Sequence, residues 1–202
     1  MAKKVYTFDE ATHTHRINGQ PVPGITTAIK PLADYDTIPE NVLRAAAEWG
    51  TNVHKAVELF CSDSLDLDSL GDPLRQTVGQ FEAWLQEQRL DRRDFVVELP
   101  MGDASLMYGG IPDLILDGKL VVEIKTRPVN VLTDSIQTAA QEKLWIKNGG
   151  TRVWSYERRV LFLAPDRHEY TQVNRRDDWG RFRLLLDHYH NAQKIKLWKE
   201  NK

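Results

Sequence analysis

Two apolar runs, Leu114-Ile115-Leu116 and Leu120-Val121-Val122 with Ile124, flank Asp117-Gly118 near the middle of the chain. Apolar segments of strand length around an Asp-Gly pair predict a hairpin of buried antiparallel strands, Asp113 to Leu116 and Leu120 to Lys125. Elsewhere the apolar spacing turns helical. Val42, Leu43, Ala46, Trp49, Val53, Val57 and Phe60 predict a helix over 39–61 with Pro39 at its start. Leu74, Val78, Phe81, Trp84 and Leu85 predict a second, opened by Asp72-Pro73 and running to about Leu90. A third, capped by Thr133 or Asp134, runs to Lys147 and stops at Asn148-Gly149-Gly150. A last one spans 177–199 with Phe182, Leu185, Leu186, Tyr189 and Ile195. Short strands are expected at Val5 to Phe8 and His13 to Ile17, with Asn18-Gly19 turning before Val22, and a short helix near Thr26. Phe95 to Leu99 should open a central sheet over 94–173, joined by Trp154 with Val160 to Leu163, and by Glu169 to Val173. The segment from Ser62 to Asp72 is acidic and turn-rich, hence exposed. The class is mixed α/β (α+β), with a small N-terminal hairpin over 1–30 and a central mixed sheet flanked by helices.

The central hairpin carries charges among its apolar residues. Side chains alternate across a strand, so Glu123 and Lys125 share one face with Val121, their Cα atoms roughly 6.5 Å apart. Whether Asp113 joins them depends on the turn. A plain two-residue turn at Asp117-Gly118 pairs Asp113 with Val122 and sends its carboxylate to the opposite face. An odd-numbered loop or a bulge, which Gly118 suits, brings Asp113 and Glu123 together. Two carboxylates and an ammonium are costly among Val, Ile and Leu unless a cation and mutual pairing compensate them. The sequence thus offers either a metal site or a surface hairpin whose charges face water.

Composition narrows the setting. With 202 residues and 41% hydrophobic content, one domain over 1–202 is expected, with a sizeable core. A single cysteine, Cys61, excludes an intrachain disulfide; no run suits a signal peptide or a membrane span, so a cytoplasmic protein without membrane association is expected. Net charge is −2, but residues 147–202 hold 13 Lys/Arg against 7 Asp/Glu, +6, leaving −8 for residues 1–146. Arg158-Arg159, Arg175-Arg176, Arg181 and Arg183 are therefore either phosphate contacts or an ordinary solvated face.

Pro112-Asp113 with Glu123-Ile124-Lys125, preceded by Gly50-Thr51-Asn52-Val53-His54 and followed by Gln137-Thr138-Ala139-Ala140-Gln141, resembles the PD-(D/E)XK nuclease superfamily in its RecB-like branch, which includes phage recombination exonucleases. The stretches match G-x-x-x-H, PD…E-x-K and Q-x-x-x-Y in order, except that Gln141 stands where the last motif has tyrosine; a register from Gln141 to Trp145 would supply an aromatic. The resemblance implies a restriction-endonuclease-like α-β-β-β-α-β core and a Mg²⁺-dependent DNA exonuclease of phage-type recombination or repair, with Mn²⁺ as a substitute. DNA is the implied substrate, a single-strand annealing protein a partner, and the protein would act as a ring or a monomer. A structure-specific or non-specific endonuclease, an RNA-processing enzyme and a non-catalytic binding module are the alternatives.

By the same resemblance, Asp113, Glu123, the carbonyl of Ile124 and the ring of His54 hold the metal, with Lys125 beside the attacking water or the phosphate. Glu98 is either an additional acid or an exposed strand-end glutamate. Gln137 would anchor the phosphate, the water or Lys125. Gly109-Gly110 would admit a nucleic-acid backbone, and Thr126 and Arg127 would meet flanking phosphates. Tyr35, Trp49 and Tyr108 are candidates for base stacking, core burial being the other reading of Trp49.

Overall fold

A computed structural model describes residues 5–33 and 38–200. Tyr35 lies outside the described residues. The N-terminal strands are β1 (Tyr6–Asp9), β2 (Thr14–Ile17) and β3 (Gln20–Val22), followed by the short helix α1 (Ile25–Ile29). Helices α2 (Glu40–Cys61) and α3 (Asp72–Gln88) precede β4 (Val96–Val97), β5 (Met101–Asp103), β6 (Tyr108–Gly110), β7 (Leu114–Leu116) and β8 (Leu120–Lys125). Then come α4 (Val131–Lys147), β9 (Glu157–Leu163), β10 (His168–Gln172) and α5 (Asp178–Glu200).

The central sheet has the order β10-β9-β8-β7-β4, antiparallel except where α4 crosses from β8 to the parallel β9. Helix α2, strands β4, β7 and β8, helix α4 and strand β9 therefore follow the expected restriction-endonuclease-like order, with α3 and the β5–β6 hairpin inserted. Period-two alternation in β8 divides the core. Leu120, Val122 and Ile124 join the cluster under α2 and α3, whereas Val121 joins the one under α1, α4 and α5. Burying both faces explains why β8 reads as a continuous apolar run.

The hairpin answers the register question. Leu116 pairs with Leu120 and Leu114 with Val122, so the loop is the three residues 117–119, and Asp113 falls opposite Glu123. Gly118 has φ +70° and the Lys119 amide donates to the Leu116 carbonyl at 3.0 Å, the glycine-dependent odd loop that the shared face requires. A Cβ at Gly118 would meet Thr151 only at 3.6 Å, so the penalty for alanine is conformational rather than steric. Gly118→Ala should lose about 1–2 kcal/mol in urea unfolding, while Gly118→Asn should lose less.

The loop is also held from outside. The Asp117 carboxylate accepts from Trp145 Nε1 (2.7 Å), the Thr151 amide (2.9 Å) and hydroxyl (2.6 Å), and the Tyr156 hydroxyl (2.8 Å). These four donors keep the carboxyl pKa well below the usual range, the Thr151 hydroxyl and amide contributing most.

Several expectations are corrected. The N-terminal hairpin is a three-stranded sheet, its third strand carrying Pro21 at the edge, where no ladder amide is needed. Helix α4 is capped by Asn130, whose side chain accepts from the Leu132 and Thr133 amides; Asp134 instead receives the Asn130 amide at 2.8 Å and Arg127 at 2.6 Å. Trp154 is fully exposed and lies in no strand, and β9 begins at Glu157. The opening turns of α2 leave Val42 and Ala46 exposed, so its apolar stripe is buried only from Val53 onward.

Candidate functional site

Glu123 and Lys125 project from β8 toward α4, and Asp113 stands at the head of β7. His54 comes from the middle of α2, and Glu98 from the residue just after β4, where its backbone takes φ +45° and its amide donates to the Asp113 carbonyl at 3.1 Å. A left-handed conformation at a residue bearing a Cβ is unfavourable and is concentrated at sites where a side chain must be aimed. Here it aims Glu98 at His54.

His54 Nδ1 lies 2.9 Å from Glu98 Oε1 and 3.5 Å from Asp113 Oδ1. One donor atom from each of these three residues lies within 4.8 Å of the others, close enough to hold a metal ion. The other oxygen of Asp113 accepts the Ile124 amide at 2.6 Å, which fixes the carboxylate against the β8 backbone. Glu123 is not one of the three. Its Oε1 receives Lys125 Nζ and Gln137 Nε2, each at 2.6 Å, and its Oε2 receives Gln141 Nε2 at 2.5 Å. Lys125 also donates to Gln137 Oε1 at 3.1 Å.

Burial and charge set the protonation states. Burial, then the charge of Glu123 with that of Glu98, pushes Asp113 well above the usual carboxyl range against the pull of His54 and Lys125. Burial draws His54 toward its neutral form, but Asp113, the Glu98 hydrogen bond and the charges of Glu98 and Glu123 outweigh it and raise its pKa to about 9. Lys125 is likewise opposed by burial, yet Glu123 and Asp113 hold it above the ordinary lysine value. A cluster that lifts both an acid and an imidazole in this way is short of positive charge. Together with the convergent donors and the buried Gln141 Oε1, which has no hydrogen-bond partner, this fits a metal ion.

Gln137 and Gln141 both bond Glu123, so position 141 supplies a second amide donor to the same carboxylate. Their spacing of four residues on one helix face was the available signal. Glu98 is half-buried and bonded to His54, not an exposed strand-end residue. Thr126 and Arg127 line the same cleft of about 1200 Å³ as the cluster. Arg127 reaches Asp134 at 2.6 Å.

Other assignments are overturned. Gly109 and Gly110 are buried, and the space that a Cβ would take is filled by His15 and Ile25; Gly110 still lines the cleft, and Gly109 does not. Arg158 is buried and bonded to Asp178 (2.8 Å) and to the Ser135 carbonyl (2.8 Å), tying β9 to α4 and α5. Arg159 lies over the Tyr170 ring at 4.8 Å and pairs with Glu157. Neither these two nor Arg175, Arg176, Arg181 and Arg183 line the cleft. Tyr108 is wholly buried with its ring 5.1 Å from Phe182, and Trp49 packs on the core under α2, so neither forms a stacking surface.

His15, to which no role was attached, is a buried neutral histidine. Tyr6 is kept protonated by burial, and its hydroxyl is hydrogen-bonded to His15 Nδ1 at 2.7 Å. Burial, then the nearby His13, lowers the ring's pKa from 6.5 to about 4. The unfolded chain thus binds a proton that the folded one refuses between those values, and stability present above pH 6.5 is lost as pH falls toward 4. After allowance for the solvent reaching this small sheet, the loss is about 2 kcal/mol. Urea midpoints should show the wild type's advantage over His15→Asn shrinking between pH 7 and pH 5; parallel profiles would show that His15 is not the titrating group.

No protein-family model matches the chain, and no curated protein matches it significantly in sequence. No helix among the described residues is long and apolar enough to cross a membrane.

Proposed function

We propose that the protein is a Mg²⁺-dependent nuclease that hydrolyses DNA phosphodiesters from strand ends, in recombination or repair. The observation that carries the reading is the odd loop at 117–119, which sets Asp113 across from Glu123 and beside His54 and Glu98. A structural ion-pair network would satisfy its acids with bases, whereas here three carboxylates face one lysine and a histidine that must itself be charged to balance them.

Asp113, Glu98 and His54 would hold the ion, with Glu123 at its flank; oxygen donors suit Mg²⁺, and the imidazole suits Mn²⁺ equally. Bound there, the ion would lower the pKa of a water and offset charge developing on the phosphoryl oxygens. The remaining roles belong to the chain. The Ile124 amide fixes Asp113 so that its free oxygen faces His54. Gln137 and Gln141 clamp Glu123, and Glu123 with Gln137 in turn positions the Lys125 ammonium at the cleft floor. There it supplies positive charge for the scissile phosphate and for the water aligned behind it.

A time course on end-labelled linear duplex, single-stranded and covalently closed circular DNA, with and without Mg²⁺, tests this. Metal-dependent loss of linear DNA with circles intact is the expected result. Cleavage of circles would make it an endonuclease, and a matched RNA degraded faster than DNA would move the substrate. No hydrolysis of any polymer in Mg²⁺ or Mn²⁺ would sink the nuclease reading.

A further inference from the structure

We infer that the N-terminal sheet is a stacking shelf for an unpaired nucleobase, so that the cleft takes a single strand of nucleic acid; this rests on the nuclease reading and names its substrate. The cleft that holds Asp113, Glu123 and Lys125 is closed on its far side by β1, β2 and the start of α1, and Phe8, His13, Thr14 and Thr27 line it there. These residues take no part in the acid cluster.

The shelf is built in layers. Phe8 pairs across the strands with His15, and their ring centroids lie 4.9 Å apart. His15 is held by Tyr6 and fills the space over Gly109, whose amide is tied to Pro23 at 2.9 Å. Beyond Phe8, the His13 ring packs edge-on at 5.1 Å. His13 is exposed, and its backbone takes φ +49°, a conformation disfavoured for a residue with a Cβ. Phe8, half-buried, is thus an aromatic ring fixed from behind and from the side at the edge of an open cleft. Bases of any sequence stack on such a ring because each presents a π-face.

Charge selects the single strand. Glu10, Glu58, Glu98, Asp113 and Glu123 line the cleft against Lys55, Lys125 and Arg127. Those three cations already pair with Glu58, Glu123 and Asp134. A duplex would need many Lys and Arg side chains to neutralise two backbones. The arginines of the C-terminal third do not line the cleft. A strand held by stacking at one wall and by the acid cluster with its cation at the other needs fewer such contacts.

The test is stopped-flow mixing of the full chain with a single-stranded DNA octamer carrying 2-aminopurine near its end, in Mg²⁺, read as fluorescence quenching before product appears. Wild type and Phe8→Trp should quench; Phe8→Leu, which keeps the apolar packing, should bind about tenfold more weakly and show little quenching. The KM for the octamer should rise in step while kcat moves less than about twofold, a split that loss of folding would not give. Quenching undiminished in Phe8→Leu, or a blunt duplex that competes as well as the single strand, would overturn the shelf. Hydrolysis without quenching overturns the shelf and leaves the nuclease standing, whereas quenching without hydrolysis does the reverse.

Discussion

Asp113→Asn is expected, on the nuclease reading proposed above, to lower metal-dependent hydrolysis of DNA by about 10³-fold or more, because it would remove an anionic ligand from the centre where charge must be stabilised. The same change should raise the stability of the metal-free protein. Asp113 has a pKa raised by burial and by Glu123, so what it contributes to stability is present in acid and lost as the pH rises through that raised value. Asparagine has no carboxyl to be kept from ionising, and its carbonyl can still accept the Ile124 amide. Thermal melts therefore separate the variant from a misfolded one: without metal it should melt above the wild type. Adding Mg²⁺ should reverse the order, since a ligand present at a hundred times its dissociation constant stabilises by about 2.7 kcal/mol only the protein that binds it. Retention of activity within tenfold of wild type, or equal Mg²⁺ stabilisation of both proteins, would remove Asp113 from the metal centre.

Gly109→Ala is expected to cost about 3 kcal/mol, at the upper end for overpacking. An added Cβ would lie 2.5 Å from His15 Cγ and 2.8 Å from its Cβ. The second contact involves a side-chain root, which rotation cannot move. His15 cannot retreat either, because Tyr6 holds its Nδ1 and Gly24 lies against the other edge of its ring, 3.3 Å from where a Cβ there would sit. Relief therefore requires the N-terminal sheet to lift away from the β5–β6 hairpin, opening the cleft wall while the central sheet is untouched. His15→Ala should remove much of the clash, so a double-mutant cycle by urea unfolding should give a coupling of about 1–2 kcal/mol in favour of the double variant. Additive losses would mean that the two residues do not share that space.

The central hairpin was legible because one physical requirement, three charged groups on one face, fixes both strand bounds and the oddness of the loop. The helix of His54 was legible from its spacing, and Lys125 and Gln137 from their order along the chain. What escaped is what depends on shape brought from far away. Gly109 and Gly110 suggest an open approach until His15 and Ile25, from a separate sheet and helix, are found in their space. The strands beside them are three residues each, too short for any alternation to register. Arg158 did carry a signal: of two adjacent arginines in a strand buried on both faces, one has to turn inward and find acids, and Asp178 and Glu142 provide them. Glu98 was ambiguous because its aim comes from one left-handed backbone angle that its neighbours in sequence do not announce.

The three-residue turn at 117–119 also limits how this chain can change in length. Because the pairing of Leu116 with Leu120 decides which side chains share a surface, a turn of another length that keeps this pairing leaves the aspartate where it is. What such a change puts at risk is the tether from Asp117 to Trp145, Thr151 and Tyr156, which ties the tip to the crossover between β8 and β9. An inserted tag should therefore be tolerated after Gly118 more readily than one that displaces Asp117.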